Sequence, residues 1–365
     1  MKSKLRVLRS RFFIFPVFAL LAMFAFWSVK PGNFVLLALG LVLVGAVFTA
    51  VHHAEVVALK VGEPYGSLIL ALAVTVIEVG MIVVLILASP TTNQNLARDT
   101  VFAAIMITTN GIVGIALFIK AIKQNVALFN ASGVSGALAA LATLSILILV
   151  LPSVTTSSPG PTFTNVQLIF AAIVSLSIYL TFVMVQTIRH RDYFLPPARE
   201  NEIISEELHV DPPSKEQTML SLFGLVISLI AVVGLAKVTS PLIQGVVDDR
   251  GLPQMIVAIS IALVVLLPES ISAIKAARYG RTQTSLNLAY GSALASIGLT
   301  IPVIAIFSLF SQYDFNLGLN TVEIVLMSLT FFVSILTVIP GRATLLQAVV
   351  HLSIFGSFIM FAARP

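Results

Sequence analysis

The chain has 365 residues, 58% of them hydrophobic and only 10% charged, with a mean hydropathy of +1.03. Soluble domains run near 25% charged, and a water-soluble core could not hide this much apolar surface, so an ordinary globule is excluded. The absence of cysteine removes disulfides, thiolate metal sites and cysteine nucleophiles together.

A helix needs about 20 apolar residues to cross a bilayer core of roughly 30 Å. Charges, Pro/Gly punctuation and that length predict eleven spans, at 12–29, 33–52, 66–88, 99–119, 134–152, 165–187, 218–236, 254–274, 285–311, 321–339 and 343–363. No stretch alternates polar and apolar residues at strand period, so the expected class is an all-α polytopic membrane protein rather than a β-barrel. The first span follows a basic tail, yet Phe24-Ala25-Phe26-Trp27-Ser28 offers no small-x-small cleavage site. It reads as a retained helix with Trp27 as an interface anchor.

With the N-terminus in the cytoplasm, sixteen of the 21 Lys and Arg fall inside, and the C-terminus lies outside. Only Lys30, Arg98, Lys237, Arg250 and Arg364 fall outside. This positive-inside bias accounts for the net charge of +5 and the pI near 9.6, so no nucleic-acid partner is implied. The expected partners are the lipid bilayer and inorganic cations, with the oligomeric state left open.

The polar segment 189–217 contains Pro and the acids Glu200, Glu202, Glu206, Glu207, Asp211 and Glu216, and reads as a cytoplasmic linker. It separates a first part (1–32, the tail and first helix) and a five-helix half (33–188) from a second half (218–365). The halves echo one another. Leu176-Ser-Ile-Tyr-Leu-Thr-Phe-Val-Met184 matches Leu352-Ser-Ile-Phe-Gly-Ser-Phe-Ile-Met360 at five of nine positions. Aligning Glu78 with Glu269 pairs Leu70-Ala-Leu-Ala-Val-Thr-Val-Ile-Glu78 with Ile261-Ala-Leu-Val-Val-Leu-Leu-Pro-Glu269. Both matches lie five helices apart, so equivalent helices cross in opposite directions, the arrangement of many secondary transporters.

Glu78 and Glu269 sit deep in the third and eighth spans. An ionised carboxylate there costs at least ~2.5–3.5 kcal/mol. No Lys or Arg lies deep in any span, so the expected counter-charge is a transported cation or a proton. Two glutamates could neutralise one Ca²⁺, and burial favours their protonation once the ion leaves. The pair would then carry either the ion or protons, which is antiport. Candidate neutral ligands are Thr75, one turn before Glu78, and Asn110, Ser292 and Ser296 in the helices that follow each glutamate. Pro268 removes a helical N–H and exposes a backbone carbonyl one turn earlier. Small and polar residues at these places equally suit helix–helix packing. His351, with Ser175 as its repeat mate, is a candidate proton relay or a packing histidine. Glu323, near an outer helix end, reads as solvated, as do Glu55 and Glu63 in a loop before the third span.

The segments Gly62-Glu-Pro-Tyr-Gly-Ser-Leu-Ile-Leu70 through Glu78, and Leu267-Pro-Glu-Ser-Ile-Ser-Ala273 through Gly291-Ser292, resemble the calcium/cation antiporter superfamily. Within it the chain is most similar to the bacterial ChaA-type calcium/proton antiporters; Arg98-Asp-Thr100, Gly341-Arg342 and His351-Leu-Ser353 are further points of likeness. The resemblance implies ten core helices in two inverted repeats with an extra N-terminal helix, ion binding at Glu78 and Glu269, and a bacterial cytoplasmic-membrane location. It implies export of Ca²⁺ against H⁺, with Na⁺(K⁺)/H⁺ exchange as the alternative. No resident cofactor is expected; Ca²⁺, H⁺, Na⁺ and K⁺ enter only as transported ions. Two positions depart from the usual motif: residues 74–77 are Val-Thr-Val-Ile rather than an Asn-containing run, and Ser296 stands where Asn is usual.

Two other classes fit less well. An intramembrane metalloprotease would need His-Glu-x-x-His, which is absent, and no mid-membrane Asp pair exists for an aspartyl protease. A passive channel would need a filter sequence or several subunits and would not use a titratable pair.

Overall fold

The structure, a computed structural model, describes residues 2–29, 31–63, 65–89, 93–196, 213–311 and 313–364. Eleven helices account for nearly all of these residues. They are α1 (Lys2–Phe26), α2 (Asn33–Val61), α3 (Tyr65–Ala88), α4 (Leu96–Gln124), α5 (Ala131–Val154), α6 (Asn165–Arg189), α7 (Lys215–Arg250), α8 (Met255–Arg278), α9 (Thr282–Ser311), α10 (Thr321–Val338) and α11 (Leu345–Ala363). Ten of them are long and apolar enough to span a membrane, and Ile14–Phe26 within α1 is a shorter apolar segment. The protein is an all-α polytopic membrane protein. Two three-residue strands, β1 (Val126–Leu128) and β2 (Arg342–Thr344), pair antiparallel with Ala127 opposite Ala343.

Local sequence sets the helix ends. Thr164/Gln167, Ser214/Gln217, Asn320/Glu323 and Thr344/Gln347 form reciprocal capping boxes that open α6, α7, α10 and α11. Gly251, at φ 60°, closes α7 in the left-handed conformation that favours glycine. Helix α7 is longer than expected and runs 36 residues through Pro241. Helix α2 continues to Val61, so Glu55 belongs to its last turns and not to a loop. Of the predicted linker, residues 197–212 lie outside the described residues, and with them Glu200, Glu202, Glu206, Glu207 and Asp211. What is described on either side is a 3₁₀ turn at Arg191–Phe194 and the start of α7.

The chain forms two compact units, and each draws on both halves of the sequence. The first comprises Met1–Asn93 and Val210–Val257, hence α1, α2, α3 and α7. In it α2 lies along α7, its repeat counterpart. Close approach depends on small residues: a Cβ on Gly224 would stand 2.5 Å from His53 Nε2, and one on Gly234 would meet Met23. Trp27 stacks under Lys237, whose Nζ lies 4.1 Å from the ring centroid. An aromatic ring holding a cation at a helix end suits the expected interfacial position.

The second unit comprises Gln94–His209 and Ala258–Pro365. Helix α4 is its most enclosed span and α9, its repeat counterpart, the next. The outer helices are exchanged between halves: α6 packs on α9 and α11 on α4. The loops repeat the exchange. The β1–β2 ribbon and the bond from Phe129 N–H to Gly341 O join the halves at one place. Elsewhere Leu317 and Gly318 N–H groups donate to Pro161 O. Each half thus supplies an outer helix to the other, in keeping with the sequence echo between them.

Candidate functional site

In the first unit, α3 carries Thr75 just before and Glu78 just past the midpoint of its 24 residues, both buried. Thr75 sends its hydroxyl proton to Ala71 O at 2.9 Å, so its oxygen lone pairs stay available. Gly80 holds α3 close to α7, because a Cβ there would stand 2.5 Å from Val233 Cγ2.

In the second unit, α8 carries Glu269 at a comparable depth in its own 24 residues, half-buried. Pro268 has no N–H, so Val264 O lacks its helical donor. Ser270 caps Leu266 O at 2.6 Å. Ser292 and Ser296 lie one turn apart on α9, half-buried and buried respectively.

Asn110 lies in a π-helical stretch, Ile107–Ile112, that interrupts α4. Such wide turns are frequent at functional sites. Every residue of this stretch is buried. Asn110 Nδ2 donates to Thr330 Oγ1 at 3.0 Å and to Thr109 Oγ1 at 3.3 Å. Its Oδ1 lies 3.1 Å from His351 Nδ1, and His351 Nε2 lies 3.1 Å from Thr337 Oγ1. The proton positions follow from the network. Thr330 uses its hydroxyl proton on Leu326 O at 2.7 Å, so it accepts from the Asn110 amide. That leaves Asn110 Oδ1 toward the ring and makes His351 Nδ1 the donor. In a neutral ring, Nε2 then accepts from Thr337.

The structure therefore brings Asn110 and His351 together. The amide of Asn110 is committed to side-chain partners, and His351 is wholly enclosed, as a packing histidine would be. Its repeat mate Ser175 plays a matching part, with its hydroxyl 3.1 Å from Ile297 O and 3.2 Å from Gly298 O on α9.

Glu323 departs from the sequence reading. It is buried rather than solvated, because its carboxylate closes the α10 capping box and faces Arg98. Arg98 Nε meets Asp99 Oδ1 at 2.7 Å, its Nη1 donates to Gly318 O at 2.6 Å, and its Nη2 lies 3.9 Å from Glu323 Oε2. Arg98 and Asp99 do bound the fourth span, but as members of a buried cluster. The Asn320-x-x-Glu323 pattern was the legible signal for it.

The sequence matches the family described as "Sodium/calcium exchanger protein" over residues 32–188 and 220–364. The chain belongs to that family. Among relatives, it is 42% identical to "Putative ionic transporter y4hA" of Sinorhizobium fredii over the whole of both chains. It is 32% identical to "Sodium-potassium/proton antiporter ChaA" of Escherichia coli, over 95% of this chain and 94% of the relative. Its fold is similar to native YfkE, with a TM-score of 0.70, 16% identity and coverage of 96% of this chain and 99% of the other. It is also similar to the H⁺/Ca²⁺ exchanger CAX, with a TM-score of 0.68, 16% identity and coverage of 96% and 89%. This family member is a multi-pass membrane cation antiporter and not an enzyme.

Proposed function

We propose that this exchanger moves Ca²⁺ out of the cytoplasm in exchange for H⁺, with Glu78 and Glu269 as the carboxylates that carry the cation or the protons. The observation that carries this reading is the pair itself: one glutamate just past the midpoint of each of two 24-residue spans, at equivalent positions of oppositely directed repeats. Two carboxylates balance one divalent ion, and protonation balances them when the ion is gone. Coupling follows from the cost of leaving either carboxylate bare at that depth, so the site changes the side it faces only when loaded with the ion or with protons. Thr75, Ser292 and Ser296 are candidate neutral ligands, together with Val264 O above Pro268. Asn110 can join them only by giving up a partner. His351 bridges Asn110 and Thr337 through its two ring nitrogens, so it can accept a proton on one side and release it on the other.

A second reading, Na⁺(K⁺)/H⁺ exchange at the same glutamates, is favoured by the likeness to the Escherichia coli protein named as a sodium-potassium/proton antiporter. The engaged amide of Asn110 favours it as well, since Ca²⁺ prefers six to eight oxygens. The likeness to bacterial relatives supports a bacterial cytoplasmic-membrane location, and the positive-inside distribution supports a cytoplasmic N-terminus and an external C-terminus.

The deciding experiment uses everted vesicles acidified by respiration and a pH-sensitive dye. Addition of Ca²⁺ should dequench the dye in wild type but not in Glu78→Gln or Glu269→Gln. A response to Na⁺ or K⁺ alone would select the second reading. Full activity in both variants would refute the two-carboxylate mechanism.

A further inference from the structure

A cavity of about 390 Å³ opens on the outer side of the second unit between α5 and α6. Gly136 and Ala140 line it from α5, and the apolar Ile178, Phe182 and Val185 line it from α6 beside Ser177 and Thr181. Gly136, Ser177 and Thr181 are all exposed. Beside it α6 presents Ile173, Leu180 and Ile188, 61%, 45% and 61% exposed, so this face meets hydrocarbon in a membrane. One end of the cavity is closed by the 3₁₀ turn that leaves α6. Asn287 Nδ2 donates to Phe194 O at 2.7 Å, and Phe194 meets Phe182 edge-on with centroids 6.0 Å apart. Gly133 also seats the turn, since a Cβ there would stand 2.3 Å from Tyr193 O. The cavity is therefore built by specific contacts and is not a gap between loosely packed helices.

The closed end is basic. His190 stacks on Tyr193 with ring centroids 4.9 Å apart and planes 14° from parallel. Arg189 and Arg191 on either side are exposed, and Asp192 is the one acid in the turn. More positive charge lies at the same end of the unit: Lys120 donates to Gly280 O at 2.9 Å, beside Arg281, and Arg342 lies in β2 opposite Leu128.

We propose that this cavity binds an anionic phospholipid, with one acyl chain lying between α5 and α6 and the phosphate held at Arg189, His190 and Arg191. An apolar groove facing hydrocarbon is filled by a lipid chain. A guanidinium pair and an imidazole beside its closed end supply phosphate donors, and basic pockets between spanning helices select anionic headgroups. The complementarity of charge decides for lipid over an apolar helix from a second copy, which would leave the arginines facing nothing of opposite sign.

Native mass spectrometry of the purified full chain tests this, with phosphatidylglycerol and phosphatidylcholine of matched acyl chains titrated separately. Two arginines at the phosphate should favour phosphatidylglycerol by about thirtyfold in Kd. The double variant Arg189→Gln/Arg191→Gln should lose that preference and keep phosphatidylcholine binding unchanged. Gly136→Leu adds bulk to the groove wall at a position where the new Cβ has nothing within 4 Å. It should weaken both lipids about tenfold or more through lost chain burial. Ser177→Leu, at an exposed position, should do the same and serves if Gly136→Leu does not fold. Equal binding of the two lipids by wild type would overturn the proposal in favour of unselective annular lipid. Cross-linking of two chains through Gly136→Cys or Ser177→Cys in lipid-replete membranes would overturn it in favour of a subunit interface.

Discussion

Removing the guanidinium of Arg98 should destabilise the protein more than any single surface change, and the cause can be isolated by a second substitution. With an effective dielectric constant of 20, the gross attraction is about 6 kcal/mol for the 2.7 Å contact with Asp99 and about 4 kcal/mol for the 3.9 Å contact with Glu323. Desolvation of three groups whose side chains are at most 9% exposed offsets most of that. The asymmetry matters more than the net value. Arg98→Ala leaves two buried carboxylates facing one another and Gly318 O without its donor, a loss of about 3–5 kcal/mol. Adding Asp99→Asn removes one of the stranded charges, so the double variant should be more stable than Arg98→Ala by at least about 1 kcal/mol. Equilibrium unfolding with sodium dodecyl sulfate in mixed micelles measures this, with Lys123→Ala at an exposed position as a control expected within about 0.5 kcal/mol of wild type. A loss below about 1 kcal/mol for Arg98→Ala, or a double variant no more stable than the single, would refute the reasoning and leave the cluster a solvated pair.

The same unfolding assay tests two packing features. A double-mutant cycle on Asn110→Ala and His351→Ala should give a coupling of about 0.6–1.7 kcal/mol, the range for side-chain hydrogen bonds inside membranes, and additive losses would mean that the 3.1 Å contact contributes nothing. Gly298→Ala should lose about 1–3 kcal/mol, because the new Cβ would stand 2.7 Å from Tyr179 Cβ, an atom fixed to the backbone of α6. Gly291→Ala on the same helix meets nothing within 4 Å and should gain up to about 1 kcal/mol from helix propensity. If both glycines responded alike, close helix approach would not be what Gly298 provides.

Span number and helix class were legible because the bilayer imposes them: unbroken apolar runs of about 20 residues have few other uses. The fifth span, predicted at 134–152, is present as Ala131–Val154. The sequence echo around Leu176 and Leu352 was legible for a physical reason too, since both segments pack on a helix of the other half. Helix limits were less legible where hydropathy changes before the helix ends. Helix α7 continues through Pro241 to Asp248 and Arg250, because a helix leaving the bilayer needs only its own backbone bonds and a cap, here Gly251. Glu55 was misplaced for the same reason. The π-helical stretch around Asn110 left no mark in composition, because a widened turn is a matter of backbone register, which side-chain hydropathy does not encode.

The polar residues show where reading one chain stops. Thr108, Thr109, Thr100 and Ser145 each return a hydroxyl proton to a carbonyl three or four residues earlier, a local habit that sequence anticipates. Asn110 and His351, 241 positions apart, satisfy one another only because α11 lies on α4. Arg98 and Glu323 are likewise joined across the halves, and a membrane makes such pairings obligatory, since a buried amide, imidazole or guanidinium left without a partner costs more than the fold can spare. Glutamine at Glu78 or Glu269 keeps the shape and hydrogen-bonding capacity of the side chain and removes only its charge, so those variants should fold and be inserted normally while failing to exchange ions. Alanine at Arg98 should do the reverse, lowering the amount of folded protein while the molecules that remain still transport. Measuring folded yield and transport per molecule for both kinds of variant separates charge that holds the protein together from charge that the protein moves. Loss of transport in Arg98→Ala at normal yield would place the Arg98 cluster with the glutamates in the transport machinery.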